Sequence, residues 1–384
     1  MASHPYDRVP LERLRARPGA KWKYYPEDVL PLWVAEMDFP LAEAIKDAVR
    51  ERLDADDLGY AMPDGVPGLR EAVVERFAER FDVAFAPEQV ALVGTTGTSL
   101  ALAARAFAGP GDEVLLLTPL YPPFKRAVET AGRTAVEVEL LLGPGGYTID
   151  FDALEAAVTP ATRMLMLCNP HNPVGRVFTQ DEVEGLASFA LRHNLWVVSD
   201  DLHADLIFEG RHRPIAGVGD AIAQRTVTLY GPTKAFNVPG LKISFALSAN
   251  PAMLERMAKA GAGLAVGPNV AAQAATLGAY RAGHAWLEDT LAYLAANRAR
   301  VTEAVASLPN VGYHPPQGTY LAWLDMRATE IGEAPGKALV ERAKLGLNEG
   351  ADFGLGGAGF VRLNFATTRA VLDEALERLA SALV

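Results

Sequence analysis

A single cysteine, Cys168, stands in 384 residues. No intramolecular disulfide can form, and such thiol usage suits a reducing compartment, so a cytoplasmic location is expected. Long apolar runs are also missing. Nothing approaches the roughly 20 residues that a membrane-spanning helix needs. Met1 to Pro10 carries His4, Asp7, Arg8 and two prolines where a signal peptide would need an apolar core. Basic clusters are absent too: 36 Lys and Arg against 47 Asp and Glu give a net charge of -11, which argues against a nucleic-acid partner. The seven histidines show no H-E-x-x-H or comparable spacing, so no metal site is expected.

What is present reads as a globular chain. Hydrophobic residues make up 50% and charged residues 22%, outside the disordered range. At roughly 150 residues per domain the length predicts about two domains. From Val90 onward, short apolar runs alternate with helical patterns. Strands are predicted at Val90–Val93, Glu113–Leu117, Arg163–Cys168, Trp196–Ser199, Thr226–Tyr230 and Lys242–Leu247, with helices at Ser99–Ala108, Pro122–Ala131 and Gln180–His193. That alternation implies βαβ units and an α/β fold with a mainly parallel sheet, whose ligands bind beyond the carboxyl ends of the strands. The last third differs. A long Ala-rich helix over His284–Leu308, strands at Thr319–Leu324 and Phe360–Asn364, and a helix at Arg369–Leu383 predict a smaller α+β domain. The first forty residues, rich in proline and aromatics, read as an extended arm.

Several segments that follow predicted strands carry possible chemistry. Gly94-Thr95-Thr96-Gly97-Thr98-Ser99 lies between a strand and a helix, where small residues and free helix N–H groups could cradle a phosphate; a plain N-cap by Thr98 or Ser99 is the plainer alternative. Asn169-Pro170-His171-Asn172-Pro173 reads as a rigid loop or a tight turn capping the sheet. Ser199-Asp200-Asp201-Leu202-His203 puts a carboxylate at a strand end, either an exposed loop acid or a partner for a cationic ring nitrogen. Tyr230-Gly231-Pro232-Thr233-Lys234 surrounds one lysine with small, rigid residues. Such a lysine is either a solvated charge or a desolvated nucleophile. Gly354-Leu355-Gly356-Gly357-Ala358-Gly359 satisfies G-x-G-x-x-G but precedes a strand, so a dinucleotide site is not expected. Cys168, ending an apolar strand, reads as packing.

Taken together, the order and spacing of these segments resemble the class I/II aminotransferase superfamily of pyridoxal 5′-phosphate (PLP) enzymes, fold type I, from about Pro31 to the C-terminus. Pro31-Leu32-Trp33-Val34-Ala35-Glu36-Met37-Asp38-Phe39, Thr118 to Phe124, Asp200 to His203 and Gln317 to Trp323 resemble the MalY/PatB branch of cystathionine β-lyases and cysteine C–S lyases. The resemblance implies an arm over 1–40 packing with the small domain, a large PLP-binding domain over 41–282 and a small domain over 283–384. It implies that Lys234 holds PLP covalently, Asp200 pairs with the pyridine nitrogen, Asn172 meets the ring hydroxyl and Tyr121 stacks on the ring. Lys234, Asp200 and Tyr121 would be the catalytic set. Thr96, Gly97, Thr98 and Lys242 would hold the phosphate, His203 would lie beside the cofactor, and Tyr60 would reach the phosphate of a partner in a homodimer. Arg362 would clamp the substrate carboxylate, with Val34, Ala35 and Asn172 nearby.

Three positions depart from the pattern: Gly231 where many relatives have a serine touching the phosphate, Lys242 where many have an arginine, and Glu36 where aspartate is more usual. The implied reaction is β-elimination from cystathionine or another S-substituted cysteine, giving pyruvate, ammonia and a thiol. Transamination of an amino acid, or regulation through a protein partner, are the alternatives. The sequence leaves the substrate's side chain open.

Overall fold

The computed structural model describes residues 4–263 and 267–383. Seven strands form the main sheet: β1 (Val90–Val93), β2 (Glu113–Thr118), β3 (Thr134–Glu139), β4 (Thr162–Cys168), β5 (Trp196–Asp200), β6 (Thr226–Tyr230) and β7 (Ser244–Leu247). Their order across the sheet is β1-β7-β6-β5-β4-β2-β3. Every pairing is parallel except those of β7, which runs antiparallel to β1 and β6. β4 is apolar and buried from Met164 to Cys168, and β6 is buried throughout, because helices cover both faces of the sheet. Asp200 sits opposite Cys168 on one side and Leu229 on the other, so the ends of β4, β5 and β6 reach one edge together.

A second sheet is antiparallel. Its strands β8 (Gly312–Tyr313), β9 (Leu321–Asp325), β10 (Asn348–Glu349) and β11 (Phe360–Asn364) lie in the order β8-β9-β11-β10. Helices His284–Ala306 and Arg369–Ser381 pack on it. The N-terminal segment differs from the extended arm expected. It contains short helices at Leu11–Arg15 and Ala20–Lys23. Tyr6, Leu14 and Trp22 pack into the same core as Leu321 and Leu363. Buried aromatic area, not helix propensity, fixes such short pieces.

Several boundaries moved for backbone reasons. Lys242 has φ 53° and Thr319 φ 71°, left-handed values that cannot continue a strand, so the adjoining strands begin at Ser244 and Leu321. The helix expected from Ser99 starts at Thr96, because Thr95 is the N-cap: its side chain accepts the Thr98 N–H at 3.2 Å. Among the described residues no helix is long and apolar enough to cross a membrane.

Candidate active site

A cavity of about 270 Å³ opens at the carboxyl edge of the main sheet. The loop after β1 brings Thr95, Thr96 and Gly97 to it; the loop after β2, Tyr121; the loop after β4, Asn172; β5, Asp200, with His203 just beyond; the loop after β6, Lys234; and the start of β7, Lys242 and Ser244. Only parallel strands joined through helices deliver so many strand ends to one edge.

Lys234 lies in the short helix Pro232–Ala235, and its Nζ donates to the Ala35 carbonyl at 2.8 Å. Burial, and then the Arg362 charge, lower its pKa to about 8, against the opposing pull of Asp200 and Glu36. Asp200 and Asp201 are adjacent and both buried, but strand alternation turns them apart. Asp201 bonds the Ser199 hydroxyl and lies 2.9 Å from His212 Nε2. Asp200 lines the cavity and, among the described residues, accepts only the Leu202 N–H, at 3.1 Å. Burial raises its pKa to about 7. His203, also at the cavity, is held well below its ordinary value by burial and then by Lys234. It stays a neutral imidazole.

Arg362, on β11, stands one layer behind the cavity wall. Its guanidinium donates to Asn172 Oδ1 at 3.0 Å, the Trp33 carbonyl at 3.0 Å and Asn348 Oδ1 at 2.6 Å. The Phe353 ring lies 5.0 Å away. All three acceptors are neutral, and burial lowers its pKa to about 10.

The profile of the family described as aminotransferase class I and II matches residues 27–379. The chain belongs to that family. It is 36% identical to the cystathionine β-lyase PatB of Bacillus subtilis, over 93% of each chain. It is 34% identical to the cystathionine β-lyase of Corynebacterium glutamicum, over 97% of this chain and 99% of that one. The crystal structure of cystalysin from Treponema denticola, which contains pyridoxal 5′-phosphate, superposes with a TM-score of 0.93 at 30% identity, covering 100% of this chain and 99% of that one.

Within this aminotransferase-family chain, most of the anticipated residues meet at the cavity: Thr96, Gly97, Tyr121, Asn172, Asp200, His203, Lys234, Lys242 and Ala35. Three do not. Thr98 turns inward to Thr95, its hydroxyl 2.9 Å from the Thr95 hydroxyl. Val34 contributes a carbonyl that accepts from Asn364. Tyr60 is fully exposed and lines a separate groove beside Met62 and Leu92.

The residues suit PLP. Asp200 is a buried carboxylate with no cation bonded to it among the described residues, which matches a protonated ring nitrogen. The first N–H groups of the helix Thr96–Phe107 have no intrahelical partners and face an opening where a Cβ built on Gly97 would meet nothing within 4 Å.

Sequence reasoning missed Ser244. A Cβ on Gly231 would sit 3.1 Å from Ser244 Cα, and the Ser244 hydroxyl donates to the Gly94 carbonyl at 2.9 Å. The serine absent at 231 is thus answered across the sheet by one at 244, tied to the start of the cradle. Only the pairing of Ser244 with Val93 reveals this, and that pairing joins residues far apart in sequence.

Proposed function

We propose that this protein is a PLP-dependent carbon–sulfur β-lyase acting on an S-substituted cysteine. One observation carries the reading: a lysine amine with a lowered pKa and a buried carboxylate with a raised one face the same cavity, while a buried guanidinium bonded only to neutral oxygens stands behind it. Groups whose pKa values are strongly perturbed by burial in one cleft mark acid–base work.

Bound PLP supplies an electron sink that stabilises negative charge at the substrate's Cα. The chain does the rest. Arg362 exchanges a neutral acceptor for the substrate carboxylate and fixes the amino acid in place. Lys234, near neutrality in its proton affinity, removes the Cα proton. The bond from Cβ to sulfur then breaks, the thiolate leaves and takes a proton, and the remaining fragment hydrolyses to pyruvate and ammonia. Asp200 keeps a negative charge against the ring nitrogen. Tyr121 and Asn172, joined by a backbone hydrogen bond of 3.0 Å, line the cavity beside the ring, and Thr96, Gly97, Ser244 and Lys242 face the phosphate.

The arm over 1–40 belongs with a small domain over 283–384, and the large domain spans 41–282. Tyr60, with Leu58 and Met62, offers an exposed apolar edge. In our reading it docks on a second copy and reaches that copy's phosphate, so the working unit is a homodimer. With a single buried thiol the protein fits the cytoplasm.

Purified protein given PLP and S-methylcysteine should release pyruvate, ammonia and methanethiol without any keto acid. Turnover that requires a keto acid and yields no thiol would instead make this an aminotransferase.

A further inference from the structure

Four consecutive carbonyls, from Trp33 to Glu36, are each claimed by a side chain of the site or its surroundings. Trp33 O accepts from Arg362 at 3.0 Å. Val34 O and Glu36 O both accept from Asn364 Nδ2 at 2.7 Å. Ala35 O accepts from Lys234 at 2.8 Å and from the Tyr320 hydroxyl at 3.0 Å. Just beyond, the Asn237 side chain makes a two-way bond with Met37, accepting its N–H at 2.8 Å and donating to its carbonyl at 2.9 Å.

The two asparagines hold parallel positions. Asn237 lies three residues after Lys234, and its φ of 56° belongs to the left-handed region that asparagine tolerates better than most. Asn364 lies two residues after Arg362 on β11. Each cation and its own asparagine therefore grip the same strap of chain. The asparagines take the carbonyls of 34, 36 and 37, while the cations take those of 33 and 35. The strap bends at Val34 and Ala35, where the Glu36 N–H reaches back to the Val34 carbonyl at 2.9 Å, and the bend turns its carbonyls in different directions.

We propose that Asn237 and Asn364 are positioning residues: they clamp the strap Trp33–Met37 so that the Ala35 carbonyl holds the free Lys234 amine until PLP captures it, and the Trp33 carbonyl holds Arg362 until a substrate carboxylate arrives. The proposal rests on the reading of Lys234 and Arg362 given above. Asn364 sets the clamp for the carboxylate, and Asn237 sets the acceptor that keeps the lysine amine charged at rest. Neither touches substrate.

Two binding measurements test this. L-alanine, which has no leaving group, is titrated into the PLP-loaded enzyme and followed by absorbance. Asn364→Ala should weaken its binding about tenfold, the scale of two lost hydrogen bonds. Asn364→Ser, with one donor, should lie between, and it carries the test if the alanine variant does not fold. Separately, PLP is added to apoprotein across a pH series. Covalent capture needs a neutral amine, so wild type should reach half its maximal rate near pH 8. Asn237→Gly keeps the positive φ but frees the Ala35 carbonyl to drift, so its midpoint should fall by up to about one pH unit. Purely structural asparagines would lower thermal stability and leave both readouts unchanged. Wild-type L-alanine binding in both Asn364 variants, or an unshifted capture midpoint in Asn237→Gly, overturns the proposal alone. Failure of wild type to capture PLP at Lys234 overturns the reading of the site and this proposal with it.

Discussion

Lys21 and Arg76 are buried against carboxylates, while Lys234 and Arg362 are held by neutral oxygens. Lys21 Nζ lies 2.7 Å from Asp38 Oδ2, with the Trp22 indole on the other carboxylate oxygen at 2.8 Å. Arg76 Nη2 lies 2.7 Å from Asp205 Oδ1. Lys234 finds the carbonyl of Ala35, and Arg362 finds a carbonyl and two side-chain amides. The difference separates structure from function. A buried cation matched by a carboxylate has nothing left to do, and removing it strands a charge. One matched only by dipoles keeps its capacity to lose a proton or to take an anion.

The two lysines give the largest effect. Lys234→Ala should cut pyruvate release at least about 10³-fold, because base and cofactor anchor vanish together. Its unfolding midpoint should hold or rise, since no carboxylate is left stranded. Lys21→Met should do the opposite: it strips Asp38 of its closest charge and should cost about 3 to 5 kcal/mol in urea unfolding. What folded protein survives should keep most of its turnover, because Asn364 still holds the Glu36 carbonyl that Lys21 shares. A Lys21 variant that folds well but loses activity would erase the distinction.

A smaller contrast separates the neighbours Asp200 and Asp201. Burial raises Asp200 from 3.8 to about 7 in the folded protein. Below about pH 4 the group is protonated in both states and contributes nothing. Between pH 4 and 7 the unfolded chain gives up the proton while the folded apoprotein keeps it, so stability falls as pH rises and stays low above 7. Asp200→Asn should therefore stabilise the apoprotein at pH 8, by a few kcal/mol at most, and flatten that fall. Asp201→Asn should destabilise, because it weakens bonds to Ser199 and His212. Denaturant unfolding at pH 5 and pH 8 checks both, and a stabilised Asp201→Asn would reverse the assignment of roles.

What could be read in the sequence follows the same division. The strands β1, β2, β4, β5 and β6 were legible because apolar runs at the core announce themselves, and strand ends placed Lys234 and Asp200 at one edge. β3, Thr134–Glu139, was not anticipated. It is an edge strand with Glu137 and Glu139 at alternate positions, so its pattern carries little apolar signal. The helices Glu43–Asp54 and Val270–Ala282 also went unread. The first is mostly charged with Ile45 its one buried residue. The second is packed so closely that a Cβ on Gly278 would lie 2.5 Å from the Ala44 carbonyl. The strap Trp33–Met37 was marked by its resemblance to the branch, but its contacts were not legible: they are made by backbone carbonyls, which every residue possesses.

The smallest effect concerns the two sources of positive charge at the phosphate cradle. The helix Thr96–Phe107 contributes fixed N–H groups at its half-buried start; Lys242 contributes an exposed ammonium. A fixed dipole in a partly enclosed site resists screening, whereas an exposed charge does not. Lys242→Gln keeps a side chain of similar length on a residue with φ 53°, so the backbone there is undisturbed. We expect it to weaken PLP affinity about threefold at low ionic strength, the scale of one exposed charge, and to match wild type near 1 M salt. Equilibrium dialysis of PLP at the two salt concentrations measures this. A loss that persists in high salt would mean that Lys242 makes a desolvated contact and shares the cradle equally with the helix; no loss at either salt would leave the phosphate to the helix end and Ser244 alone.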